Sequence, residues 1–166
     1  MKTKTITRAA MTLTLIFICF SIFKGTTNIL NALFIPLVLY FGLFKLKSRE
    51  FIAVTIAAML FCFIFFKVQI ILVLAYCSIA LLLIWLNIKS YGWLLSVALL
   101  TVAIGVSFFI ALTMTDFIFG TQINFMLIRM LGGNLIAYSL LLLCEGLLIS
   151  LIQISAIWKF GSRMMV

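Results

Sequence analysis

The chain has 166 residues, of which 67% are hydrophobic and 9% charged, and its mean hydropathy is +1.41. That balance excludes an ordinary soluble domain and leaves almost no room for one beside the apolar runs. A net charge of +9 would suggest nucleic acid in a soluble chain. Here membrane topology and anionic headgroups explain it, and no nucleic-acid partner is expected.

Crossing about 30 Å of hydrocarbon takes about 20 apolar residues in a helix, and six such segments are predicted in chain order. The first covers about 5–23. Lys2, Lys4 and Arg8 precede its apolar run in the manner of a secretory signal. The stretch Ser21-Ile22-Phe23-Lys24 offers no small-x-small cleavage site, so an uncleaved first helix is expected. The second segment, 29–44, carries Pro36 and is short, which predicts a kink or a break shielded by protein. The third, 51–66, is equally short and follows the basic run Lys45 to Arg49 and Glu50. The fourth, 68–86, begins after Lys67 and ends in the turn Asn87 to Gly92. The fifth covers 93–113. The connection 113–133 carries Asp116, Gln122, Asn124 and Arg129 among aromatic and aliphatic residues, with Gly120 and Gly132-Gly133 as bends. It reads equally as a segment lying on the outer membrane surface or as a helix extension with a solvated turn. The last segment covers 134–158.

With the N-terminus inside, nine Lys and Arg residues (2, 4, 8, 45, 47, 49, 89, 159, 163) lie on one side and three (24, 67, 129) on the other. This bias predicts an even number of crossings with both ends inside. Tyr40, Trp85, Tyr91, Trp93 and Trp158 all fall at the inner helix ends, where amphipathic rings anchor. The expected fold is therefore an all-α membrane protein, a compact bundle of six transmembrane helices. It forms a single transmembrane domain over 1–166, with both termini cytoplasmic, multi-pass in the plasma (inner) membrane.

Proton-transfer and hydrolytic chemistry draws on His or paired carboxylates near a nucleophile. The chain has no His, and its acids are Glu50, Asp116 and Glu145. No phosphate-binding or zinc-protease motif is present, so an enzyme is not expected, and neither is a cofactor. Cys19, Cys62, Cys77 and Cys144 lie inside apolar runs without metal-ligand spacing, and they read as small buried hydrophobes. Glu145 stands out. Near the centre of the last segment, a charged carboxyl costs at least about 2.5 kcal/mol, so it is expected to face the bundle, either contacting a ligand or ion or protonated and hydrogen-bonded to a neighbouring helix. Tyr138, seven residues earlier, lies on its face, and Ser139, Ser150 and Gln153 make neighbouring faces polar. Ala53 and Ala57, four apart on the third segment, form a face that a partner helix can approach closely.

The opening Lys4-Thr5-Ile6-Thr7-Arg8-Ala9-Ala10-Met11-Thr12-Leu13, with Phe34-Ile35-Pro36-Leu37, resembles the substrate-binding S components of energy-coupling factor transporters. Size, six crossings and inward termini are similar too. Rod-shape (MreD-like) scaffold subunits are similar in the same way, and the run Asn28 to Pro36 looks like the second helix of VanZ-type resistance proteins. The S-component resemblance implies binding of a vitamin-like or small anionic solute near the outer face. It also implies a coupling subunit and ATPases as partners, beside membrane lipid. Its ligand set would be Asn28, Asn31, Lys67, Gln69, Asp116, Gln122, Asn124, Arg129, Asn134, Tyr138 and Glu145. The family docks through small residues on its first helix, which here gives Ala10, followed by Thr14 where the family pattern has Ala. The alternatives are a non-catalytic scaffold or assembly subunit of a larger membrane complex, and an immunity protein against a membrane-active antibiotic.

Overall fold

The computed structural model describes residues 3–23, 28–43 and 48–164, without the side chains of 4, 5, 28, 48 and 161–164. Lys2, Lys24, Lys45 and Lys47 and the side chains of Lys4, Asn28 and Arg163 therefore lie outside the description. Among the described residues there is no strand. The α-helices are α1 (Thr3–Ile22), α2 (Asn28–Leu43), α3 (Ser48–Phe65), α4 (Ile70–Lys89), α5 (Trp93–Phe119), α6 (Ile123–Met130) and α7 (Leu135–Met164). A 3-10 turn, Lys67–Gln69, leads into α4. Among the described residues three stretches are long and apolar enough to cross a membrane: Lys67–Lys89, Trp93–Phe119 and Leu135–Phe160. Ile6–Ile22 and Ile29–Leu43 are shorter apolar helices. Pro36 lies inside α2, which continues past it to Leu43.

The chain divides into two compact units, Met1–Ile84 and Trp85–Val166. In the first, α1 packs along α2, and α3 lies against α1. The α1–α2 approach is close at Gly42, where an added Cβ would overlap the hydroxyl and methyl of buried Thr12. Thr12 Oγ1 in turn donates to the Arg8 carbonyl at 2.9 Å, the i−4 bond by which a hydroxyl inside an apolar helix finds an acceptor. Aromatic rings fill one end of this unit. Phe17 meets Phe61 edge-on at 5.0 Å, Phe20 lies 5.5 Å from Phe66 and 6.3 Å from Tyr76, and Phe23 stacks on Phe34. Tyr40 is buried in this core, not presented at a helix end as an interfacial anchor.

In the second unit α5 and α7 form a long antiparallel pair. A Cβ on Gly146 would stand 2.8 Å from the Thr101 carbonyl oxygen, so hydrogen at this position is what lets the backbones meet. One turn further along, Thr101 and Ser150 share a hydrogen bond of 2.8 Å. At the other end Phe109 faces the Tyr138 ring at 6.4 Å. Trp85 and Tyr91 pack together at 5.3 Å near the start of α5, and Trp158 is exposed.

Two expectations change. The fifth segment does not stop near 113: α5 continues to Phe119, because no helix breaker stands between Met114 and Gly120. Gly120 takes the left-handed conformation (φ 65°) and donates to the Asp116 carbonyl, ending the helix. The connection thus holds an extension of α5 and a separate short helix, α6. Second, Cys62 and Cys77 are buried, but Cys19 is half-buried and Cys144 exposed, since α7 turns that side away from α5.

Candidate functional site

The polar residues of the second unit gather where α5, α6 and α7 meet. Asp116 on the last turn of α5 receives three hydrogen bonds. Its Oδ1 accepts from the Thr121 hydroxyl at 2.6 Å and the Ile123 amide at 2.7 Å, and its Oδ2 accepts from the Asn124 amide at 2.7 Å. These amides begin α6, where a negative charge is favoured by unpaired N–H groups and the helix dipole. Gln122, at the N-cap position, is left-handed (φ 57°) and gives no side-chain cap. Asp116 does that work from the preceding helix.

Asn124 then joins all three helices. Its Nδ2 donates to Thr113 Oγ1 on α5 at 3.0 Å, and its Oδ1 accepts the Tyr138 hydroxyl from α7. Asn134 caps α7, with Oδ1 accepting from the Ile136 and Ala137 amides at 2.9 and 3.2 Å. Gly132 and Gly133, both left-handed, close α6 with bonds to the Arg129 and Ile128 carbonyls. The outer face of α6 is apolar and open: Phe125, Met126 and Met130 are exposed, as are Phe117 and the Arg129 side chain. Such a helix, apolar on one side and carrying a cation, suits a bilayer interface.

Asp116, Asn124 and Tyr138 of the expected ligand set are thus brought together, and their hydrogen-bonding groups are spent on one another and on helix ends. Gln122, Arg129 and Asn134 share this corner without joining the network. Glu145 stands apart, two helical turns or about 10 Å along α7 from Tyr138, half-buried and without a hydrogen-bond or ion-pair partner among the described residues. The Tyr138 hydroxyl turns to Asn124 and not to this carboxyl. Asn31, Lys67 and Gln69 fall in the first unit. Lys67 is exposed. Asn31 is 1% exposed, with neither side-chain amide atom hydrogen-bonded among the described residues, and Gln69 Oε1 is likewise buried and unpaired among them. Ala10 and Ala53 are exposed and Ala57 half-exposed, beside buried Ala58.

Sequence reasoning missed Thr113, Thr121 and Thr101. Asp116 followed by a glycine, a threonine and an asparagine is the readable signal: a carboxylate just before a helix break can cap the helix that follows. Thr101 carries no local signal, since its partner Ser150 is remote in sequence. A groove of about 300 Å³ runs beside the α5–α7 seam, lined by Gly105, Val106, Phe109, Ser139, Leu142 and Leu143. It is almost wholly apolar, and the Ser139 hydroxyl is occupied by the Leu135 carbonyl. Among the described residues no three His, Cys, Asp or Glu side chains gather as metal ligands. The chain matches no family model, no curated protein and no solved structure.

Proposed function

We propose that this protein is a multi-pass, non-catalytic subunit of a larger assembly in the plasma (inner) membrane, with both termini cytoplasmic. The observation that carries this reading is Glu145. A carboxyl half-buried at the middle of a membrane-length helix, with no partner among the described residues, is retained at a cost unless something outside supplies one. The corner of α5, α6 and α7 supports an assembly role over a solute site, because Asp116, Asn124 and Tyr138 already satisfy one another. Lys89 and Lys159 lie at the end of the α5–α7 pair opposite Arg129, in keeping with the inward bias of basic residues. Native electrophoresis of the tagged protein, gently solubilised from its own membranes, tests the reading. Co-migration with other membrane chains is expected; a protein running alone under every mild detergent would overturn it.

A second reading, the solute-binding subunit of a transporter, is favoured by Asn31. A fully buried amide with both atoms unpaired is rare in folded proteins and often marks a bound molecule or water. Under this reading Asn31 and Gln69 contact the solute, and replacing Asn31 by Leu abolishes uptake while leaving membrane insertion intact.

A further inference from the structure

Glu145 sits on a face of α7 that α5 does not cover. The side of α7 buried in the second unit is formed by Tyr138, Leu142, Gly146, Ile149 and Gln153. At 3.6 residues per turn, Glu145 falls at the edge of that stripe, in line with Leu141, Leu148 and Ile152, all exposed. A lone carboxyl is thus framed by exposed aliphatic side chains at membrane depth.

The cations of this unit are too far away to reach it. Along the helix axis, Glu145 is about 15 Å from the start of α7, near which Arg129 lies, and about 21 Å from Lys159. Lys89 belongs to the same end as Lys159. Even extended, a Lys or Arg side chain covers less than half of these spans. A second copy of the chain brings no base either, because all twelve Lys and Arg residues lie near or between helix ends and none at the middle of an apolar run. Two copies meeting here would set carboxyl against carboxyl.

We infer that the Leu141–Glu145–Leu148–Ile152 face of α7 docks a transmembrane helix of a different polypeptide, one that carries a Lys or Arg at mid-membrane opposite Glu145. The inference rests on the reading of the protein as a subunit of a larger assembly, and names the partner's chemistry. Charge complementarity fixes the occupant. In hydrocarbon a carboxylate and a base each cost free energy alone and far less together, so the pair selects this helix over any wholly apolar one. The flanking Leu141, Leu148 and Ile152 supply the apolar contact around it and exclude water, as the rim of an interface does.

The test places p-benzoylphenylalanine at Leu148 in the full-length protein, expressed from its own locus, and irradiates intact membranes. The expected product is an adduct with another membrane chain, mapped by mass spectrometry to a helix with an intramembrane Lys or Arg. Glu145→Gln should lower recovery of that adduct about tenfold. Glu145→Lys should abolish it, and changing the partner's base to Glu should restore it. Adducts with lipid alone, with residues 3–84 of the same chain, with a second copy, or with a helix lacking a base would each overturn the inference. So would recovery unaffected by Glu145→Gln at unchanged expression. Failure here leaves the broader reading standing if native electrophoresis still finds the protein in a complex; a protein running alone removes both.

Discussion

Both units depend on a glycine for their tightest helix contact, yet each glycine faces something different. At Gly42 the space is taken by the side chain of Thr12, a buried hydroxyl already bonded within α1. At Gly146 it is taken by the Thr101 carbonyl, part of the α5 backbone. Polar groups divide the same way. In the second unit Asp116, Asn124, Tyr138, Thr101 and Ser150 bond within the unit, whereas the first unit buries the Asn31 side chain with no hydrogen bond among the described residues. Within the second unit the corner of α5, α6 and α7 is therefore closed on itself, and Glu145 lies outside that closure. In the first, a polar group waits in an apolar core, and such groups are cheap to keep only when something meets them.

The largest effect is expected where nothing can yield. Gly146→Val should destabilise the α5–α7 pair by about 3 kcal/mol, at the top of the range for overpacking. Because the obstacle is main chain, no side-chain change at Thr101 should rescue it. Gly42→Ala should cost less, about 1–2 kcal/mol, and Thr12→Ala in the same chain should recover most of that loss. Thermal unfolding in detergent of the single and paired variants reads both. Rescue at Gly146 by Thr101→Ala, or none at Gly42 by Thr12→Ala, would erase the distinction between the two contacts.

A smaller, local effect belongs to the corner network. Asp116→Ala frees the Ile123 and Asn124 amides and removes the charge at the start of α6, a loss of about 1–1.5 kcal/mol. Amide exchange over 121–130 should then quicken roughly tenfold, with α5 and α7 unaffected below Thr113. Uniform quickening through the whole unit would mean that the network holds the α5–α7 pair and not merely α6.

How much of this was legible follows from the range of each interaction. Helical character and the order of apolar segments are written in local composition, and α4, α5 and α7 appear close to where hydropathy puts them. The end of α5 was misjudged because a polar Asp116 inside an apolar run looks like a loop residue. Its role as a cap depends on Gly120 turning the chain back so that Ile123 and Asn124 face it. Asp116, Asn124 and Tyr138, gathered into one candidate ligand set, lie together where α5, α6 and α7 meet. That they bond to one another could not be read, because it depends on which way each side chain turns. Asn31 looked like one more polar residue near a helix start. Its complete burial follows from the packing of α2, which composition does not specify.

Asn31 gives the smallest expected effect and the sharpest sign. If the amide lies dry and unpaired in the core of the first unit, Asn31→Leu replaces a polar group by an apolar one with the same number and branching of heavy atoms. The folded state then loses a desolvation cost and no hydrogen bond. Stability should stay level or rise by up to about 1 kcal/mol. The matching change in the second unit, Asn124→Leu, has the opposite expectation. It leaves the Tyr138 hydroxyl without its acceptor and removes the amide donor to Thr113, whose hydroxyl keeps its bond to the Phe109 carbonyl; the loss is about 1–2 kcal/mol on ordinary hydrogen-bond values, tempered by the smaller worth of such bonds in membrane interiors, about 0.6 kcal/mol on average. Unfolding of the two variants in one detergent, beside wild type, compares the signs directly. Opposite signs sustain the contrast between a corner whose polar groups bond to one another and a core with an unpaired amide. A clear loss of stability in Asn31→Leu would mean that the amide is met by a bound molecule, a solute or a water, and would move the weight of the functional reading toward the transporter subunit.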